Sequence, residues 1–184
     1  MISSLEFIGA CFGVLGIWLT AKKNVLCFPV GIINVLITAN VVFEVKLYAD
    51  VVQQLMYLVL LVYGWINWTK SQNIKSVSYC TVTQKIFVVV ITLIIGTVGY
   101  FILKKYTNAT YPAADAYATA VCFAAQFLIA KRKIENWWLW LFANLVYVVI
   151  FYLKQMPWYA GLSVIYFLQA IFGLKQWHKQ LKTI

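Results

Sequence analysis

Seven long apolar stretches constrain the fold of this chain more than any other feature of its sequence. They run from Leu5 to Thr20, Val25 to Phe43, Val51 to Trp68, Ile86 to Leu103, Ala113 to Ala130, Trp137 to Leu153 and Trp158 to Trp177. Each is about as long as a helix needs to cross roughly 30 Å of hydrocarbon. They lack the apolar and polar alternation of a membrane β-barrel. The sequence therefore predicts an all-α membrane protein with seven transmembrane helices.

Composition excludes an ordinary soluble domain, since 64% of the 184 residues are hydrophobic and only 11% are charged. The first twenty residues lack the basic region and cleavage site of a signal peptide, so we expect them to form the first helix. Cys11, Cys27 and Cys122 fall within predicted helices and Cys80 in a loop, with no C-x-x-C pair or histidine cluster nearby. We therefore predict no disulfide, metal or other cofactor.

The basic residues predict the orientation of the chain. Eleven of the fifteen lie in the loops after helices 1, 3 and 5 and at the C-terminus, whereas Lys46, Lys104, Lys105 and Lys154 lie at the opposite face. Because lysine and arginine mark the cytoplasmic side of a membrane protein, we predict an external N-terminus and a cytoplasmic C-terminus. The net charge of +10 then needs no nucleic-acid partner. Binding of acidic lipid or of a partner protein by these loops stays an alternative.

Three matches suggest an internal duplication with a nearly constant offset. "KKNVLCFPVGIIN" (22–34) resembles "RKIENWWLWLFAN" (132–144) at 110, "LYADVV" (47–52) resembles "WYAGLS" (158–163) at 111, and "GWINW" (64–68) resembles "GLKQW" (173–177) at 109. The sequence predicts a three-helix repeat in 1–70, a linker with helix 4 in 71–111 and a second repeat in 112–184. Because the single linker helix crosses the membrane once more, both repeats have the same orientation. This arrangement is typical of SWEET-type carriers, which have their substrate site near the middle of the membrane.

Helix 6 carries the most informative pattern. Trp137, Trp140 and Asn144 share one helix face, whereas Trp138 points elsewhere and fits the interfacial aromatic belt. An amide in hydrocarbon must find a partner in protein, water or substrate. Two indoles beside an amide suit a flat cationic ring, because the indole faces attract the cation and the amide reads its polar edge.

Polar residues on three other helices complete the predicted substrate-binding site, which comprises Trp137, Trp140, Asn144, Asn34, Gln53, Tyr57, Gln126, Thr119 and Asp115. Asp115 lies near a helix end, where solvation or capping is an alternative reading. In helix 1, Gly9, Gly13, Gly16 and Thr20 form a stripe of small residues, which favours a close-packing face.

The helix 6 pattern "WLWLFAN", the helix 3 run "LYADVVQQ" to "YGWINW" and the 3+1+3 layout together resemble the PnuC family of bacterial vitamin transporters. This resemblance implies a SWEET-like fold, a homotrimer in the bacterial inner membrane, and facilitated diffusion of nicotinamide riboside that is trapped inside by a kinase. It also implies that Trp137, Trp140 and Asn144 bind the substrate.

Alternatives remain open at this point. Thiamine is also a flat cation, and relatives in the family carry thiamine or other vitamins. A non-transporting receptor or scaffold is disfavoured by the polar stripes inside the bundle. A membrane enzyme is disfavoured because the sequence holds no H-E-x-x-H motif, no Walker lysine and no nucleophile paired with a base.

Overall fold

The computed structural model describes residues 4–44, 48–70 and 76–182, and these residues form seven helices. The helices are α1 (Ser4–Ala21), α2 (Cys27–Glu44), α3 (Tyr48–Thr69), α4 (Val82–Tyr106), α5 (Pro112–Ala130), α6 (Glu135–Leu153) and α7 (Pro157–Leu181). All seven are long and apolar enough to cross a membrane. The predicted all-α class and the number of helices are confirmed. Lys46 and Lys75, which entered the orientation argument, lie outside the described residues.

Helix ends follow local sequence signals. Thr81 caps α4 by accepting a hydrogen bond from the Gln84 amide, and the Gln84 side chain accepts one from the Thr81 amide. This capping box explains why α4 begins four residues before the predicted Ile86. Pro112 and Pro157 open α5 and α7, where proline's missing N–H costs no helical hydrogen bond.

Six helices form a closed ring in which α1, α2, α3, α5, α6 and α7 follow one another, with α7 packed against α1. Helix α4 stands outside the ring and packs on α5. There Gly96 lies against the Tyr117 ring and Gly99 against Ala116, so the two backbones approach closely. The α4 sequence is exposed over most of its length, as expected for a helix that faces lipid.

The α3–α5 and α7–α1 junctions repeat each other at an offset of 109 residues. Trp68 of α3 donates its indole N–H to the Ile129 carbonyl, and Trp177 of α7 donates to the Thr20 carbonyl, both at 3.2 Å. Each junction thus joins one three-helix unit to the other through the same hydrogen bond. We propose that these two units are the predicted repeats, with α4 as the linker between them.

Matching turns follow α1 and α5. Lys23 (φ 55°) and Arg132 (φ 53°) both adopt the left-handed conformation, again 109 residues apart. Burial, followed by the nearby charge of Arg132, lowers the pKa of Lys23 below its ordinary value. The two turns therefore lie close together at one end of the bundle. We call this end, where α1, α3, α5 and α7 finish, the basic end.

Candidate substrate cavity

A cavity of about 400 Å³ lies between the two three-helix units and is lined by all six ring helices. It extends along α1 from Glu6, at the end opposite the basic end, to Thr20. Its floor at the basic end is aromatic. Phe28 packs edge-on against Trp68 at 5.0 Å between ring centroids, and Trp137 packs in the same way against Trp177 at 5.5 Å. Its size lies within the range of small-molecule sites.

Trp137, Trp140 and Asn144 all line this cavity, so the stripe predicted on helix 6 faces the interior of the ring. Trp137 is almost fully buried, and its indole N–H has no hydrogen-bond partner among the described residues. A buried donor without a partner is costly, so an acceptor atom supplied by a ligand would relieve this cost. Trp138, by contrast, is 61% exposed on the outside of the ring.

The two asparagines present their amides differently. The Asn144 amide nitrogen donates to the Trp140 carbonyl of its own helix at 2.8 Å, whereas that of Asn34 donates across to the Gly9 carbonyl of α1 at 2.6 Å. Both side chains line the cavity. Within the described residues, neither side-chain oxygen has a hydrogen-bond donor. Each therefore offers an acceptor to a bound molecule.

Tyr57 and Gln126 also line the cavity, whereas Gln53 and Thr119 do not. Gln53 interacts with the Tyr57 hydroxyl from behind the wall, and Thr119 is hydrogen-bonded to Tyr147 at 3.2 Å. Cys122 interacts with both Tyr57 and Tyr147, so Gln53 and Thr119 belong to one polar network around Tyr57. The sequence placed them on the correct helices but could not show which polar residues would satisfy one another.

Asp115 lies outside the cavity as well. Its carboxylate accepts hydrogen bonds from the Lys154 ammonium at 2.9 and 3.2 Å, which joins α5 to the end of α6. Sequence spacing alone could not reveal this ion pair, because the two residues are 39 positions apart. The geometry assigns Asp115 a structural contact between helices.

Three features of the wall were not predicted from the sequence to be part of the substrate-binding site. The glycine stripe of α1 lines the cavity from Gly9 through Gly13 to Gly16, so the small residues create space as well as close packing. Gln54, and not the predicted Gln53, lines the cavity. Its spacing of i, i+3 and i+7 with Tyr57 and Leu61 places the three residues on one helix face and could have indicated this from the sequence. Tyr166 has its hydroxyl against Gly13 beside the Asn34 amide, a contact that needed the tertiary structure.

The charge in the described cavity lining is acidic and lies at one end of the cavity. Glu6 is the only charged residue among the described residues that line it, and it accepts a hydrogen bond from the Tyr159 hydroxyl at the end opposite the basic end. No lysine or arginine of the described ranges reaches the wall. An acid at one end and indole and phenol rings along the wall favour a cation over an anion.

Comparisons with known proteins agree with this architecture. The family profile described as "Nicotinamide mononucleotide transporter" matches residues 3–179. The nicotinamide riboside transporter PnuC of Escherichia coli K12 is 24% identical over 83% of this chain and 76% of its own length. The protein of the same name from Neisseria mucosa is 24% identical over 98% of this chain and 74% of its own.

Two further matches show how far the similarity extends. The riboflavin/roseoflavin transporter RibM of Streptomyces davaonensis is 22% identical over 94% of this chain and 83% of its own length. The crystal structure of the vitamin B3 transporter PnuC superposes with a TM-score of 0.78 at 23% identity, over 97% of this chain and 82% of that one. The fold is therefore shared with that transporter, and the chain belongs to the nicotinamide mononucleotide transporter family, as its resemblance to PnuC proteins indicated.

Proposed function

We propose that this protein carries nicotinamide riboside across the bacterial inner membrane in its unphosphorylated form. One observation carries the proposal: the cavity combines Trp137, Trp140 and Asn144 with a single acid and no basic residue among its described lining. Nicotinamide riboside is a flat pyridinium cation with a carboxamide on its edge and a hydroxylated sugar. Indole faces attract such a cation, and the asparagine oxygens can accept hydrogen bonds from its amide and hydroxyl groups.

Charge argues against a phosphorylated substrate, although the family description names the mononucleotide. A phosphate inside the bilayer needs a cation or several donors to offset its lost hydration. The described lining supplies Glu6 instead, which repels it. The PnuC relatives are named for the riboside, which agrees with this reading.

We infer that transport is facilitated diffusion. Of the acids in the described helices, only Glu6 reaches the cavity, while Asp115 is paired with Lys154 near the end of the bundle. Neither position resembles a proton or sodium relay at the centre of a helix. Net uptake would then depend on a cytoplasmic kinase that consumes the riboside. A transporter with this cavity needs no catalytic residue.

The placement in the membrane is part of the same proposal. The turns at the basic end carry Lys22, Lys23, Lys131, Arg132 and Lys133, which supports a cytoplasmic location for that end and for the C-terminus. The N-terminus is then external, and the cavity mouth at Glu6 faces outward. A homotrimer with one cavity per protomer follows from the family resemblance.

Calorimetry on the purified protein tests the substrate, with nicotinamide riboside, nicotinamide mononucleotide, thiamine and riboflavin titrated separately. We expect the riboside to bind best and the mononucleotide at least about tenfold more weakly, since a buried unpaired phosphate costs more than 1.4 kcal/mol. Equal binding of the two nicotinamide compounds, or a clear preference for thiamine or riboflavin, would contradict the proposed substrate.

Liposomes that contain only this protein test the mode of transport. Labelled riboside should equilibrate across the membrane and exchange with unlabelled riboside, and an imposed proton or sodium gradient should leave the endpoint unchanged. Accumulation to several times the external concentration under either gradient would reject facilitated diffusion and leave the substrate assignment intact.

A further inference from the structure

A second cavity, of about 540 Å³, lies at the basic end on the outside of the ring. It occupies the gap between α3 and α4, which both pack on α5. Its polar lining comprises Asn67, Ser76, Ser78, Gln84, Lys131 and Lys133. None of its described lining residues also lines the substrate cavity, so the proposed transport function does not account for it.

Two lysine ammonium groups in this crevice have no carboxylate partner among the residues that the structure describes. The Lys133 ammonium donates to the Ser78 hydroxyl and to the Tyr79 carbonyl, both at 3.0 Å, and both acceptors are neutral. The Lys131 ammonium lies 5.1 Å from the centroid of the Tyr63 ring. The ion pairs of Lys85 with Glu135 and of Lys154 with Asp115 involve neither of these lysines. The crevice therefore keeps a net positive charge.

The backbone around these lysines holds them in place. Ser78 donates its N–H to the Arg132 carbonyl and accepts from the Ile134 N–H, which fixes Lys133 beside the segment that precedes α4. Glu135 accepts from the Cys80 N–H at 2.9 and 3.0 Å and pairs with Lys85 at 3.6 Å, so its charge is already balanced. The N-terminus of α4 adds the positive end of its dipole.

An apolar groove between the first two turns of α4 and the last turn of α5 forms the other side of the crevice. Phe87 and Val88 of α4 and Phe127 of α5 line it, and Phe87 is 58% exposed. The Phe127 ring is stacked on the Tyr63 ring at 6.2 Å between ring centroids, with their planes 7° apart. A cationic mouth at the membrane surface above an apolar groove has the chemistry of a phospholipid with an anionic headgroup.

We propose that this crevice binds an anionic phospholipid of the inner leaflet. Its phosphate lies between Lys131 and Lys133, with the Ser78 hydroxyl as a further donor. One acyl chain follows the groove over Val88 and Phe127. The lipid thereby fills the gap that α3 and α4 leave over α5 and holds α4 against the ring at the basic end.

Native mass spectrometry of the full chain tests this site with dioleoylphosphatidylglycerol and dioleoylphosphatidylcholine, which have the same acyl chains and differ in headgroup charge. Wild type should retain phosphatidylglycerol preferentially. Lys131→Gln should weaken retention about fivefold, and Lys131→Gln with Lys133→Gln about 25-fold, as expected for basic residues at an anionic surface. The matched control Lys22→Gln with Lys175→Gln removes the same charge from the same end outside the crevice, and it should retain the lipid.

Two further measurements keep the result specific. Val88→Trp fills the groove without changing charge and should also reduce retention, whereas free glycerol phosphate should compete poorly because it lacks acyl chains. Equal loss in the control pair, or competition by glycerol phosphate as strong as by the lipid, would overturn the proposal. So would efficient crosslinking between copies through Val88→Cys in a Cys11→Ser background, since a second copy of the chain would then cover the groove.

Discussion

The α1–α2 wall of the substrate cavity and the α5–α6 wall occupy equivalent positions in the two three-helix units. They differ in the side chains that they present to the cavity. At the offset of 109, Phe28, Gly31 and Val35 of α2 correspond to Trp137, Trp140 and Asn144 of α6, and all six residues line the cavity. The apolar set leaves room for a ligand and the aromatic and amide set recognises it. Under the proposed duplication, the two walls began with the same residues and have since diverged in the side chains that they present to the cavity.

Helices α1 and α5, which occupy equivalent positions in the two units, also differ in how they contribute to the cavity. Gly9, Gly13 and Gly16 of α1 line the cavity, whereas their counterparts in α5 are Ala118, Cys122 and Ala125. These three α5 residues are at most 2% exposed and do not reach the cavity. The added side chains fill space that the glycines leave empty. As a result, the cavity lies closer to α1 than to α5.

The packing that the two three-helix units have in common predicts the largest effect, which is on stability. Gly64 of α3 lies against the Phe28 ring and Gly173 of α7 against the Trp137 ring, and an added Cβ would sit closer to either ring than atoms can approach. Gly64→Ala and Gly173→Ala should each destabilise the fold by roughly 1–3 kcal/mol through overpacking. Thermal unfolding in detergent would measure this loss.

Gly161→Ala is the control for that pair, because no atom of the described residues lies within 4 Å of the position of its added Cβ. It should leave the melting temperature nearly unchanged. If only one of Gly64→Ala and Gly173→Ala lowered the melting temperature, the α2–α3 and α6–α7 contacts would differ in packing, and the equivalence of the two units would be wrong.

The difference in side chains between the two walls predicts the next largest effect, which is on riboside binding. Trp140→Ala should weaken riboside binding by roughly 1–2 kcal/mol, because it removes a half-buried indole face from a desolvated cavity. Trp138→Ala should change binding little, since that ring is exposed outside the ring of helices. Calorimetry on both variants shows whether the Trp140 ring stacks on the riboside. Equal losses of binding free energy in the two variants would assign Trp140 to packing.

Much of this could be read from the sequence, and the remainder has clear physical causes. Hydropathy fixed seven spans, and helical spacing placed Trp137, Trp140 and Asn144 together and Trp138 apart. The matched sequences suggested an offset of 110 in helices 2 and 6, which pairs Cys27 with Trp137. The floor contacts give 109 and pair Phe28 with it instead.

That one-residue difference matters, because a single step along a helix turns a side chain by about 100°. It explains why Asn34 bonds across to Gly9 while Asn144 bonds within its own helix. Pairing of Asp115 with Lys154, and of Thr119 with Tyr147, depends on which helices become neighbours. Residue spacing along one helix carries no such information.

The asparagines provide a smaller test of the same comparison. Asn144→Leu should weaken riboside binding by about 1 kcal/mol through the lost acceptor, with little change in folding because no amide is left unpaired. Asn34→Leu should cost less binding but lower the melting temperature, because it removes the hydrogen bond from α2 to Gly9 of α1. Calorimetry and thermal unfolding on both variants check this. The reverse pattern would place recognition on the α1–α2 wall.

The smallest expected effect comes from making the two floors alike. Trp137→Phe copies the residue that already stands at Phe28 and keeps an aromatic ring against Trp177. It removes part of the ring system and the indole N–H, which has no partner among the described residues. Folding should tolerate the change, because the lost group made no bond to the described protein and the smaller ring leaves a limited void. Binding should fall by roughly 0.5–1 kcal/mol if a substrate oxygen accepts that bond, as expected for one neutral hydrogen bond. Calorimetry with the riboside, beside thermal unfolding of the same sample, separates the two effects. An unchanged affinity would mean that the indole N–H makes no contact with the riboside. The difference between the two walls would then rest on Trp140 and Asn144 alone.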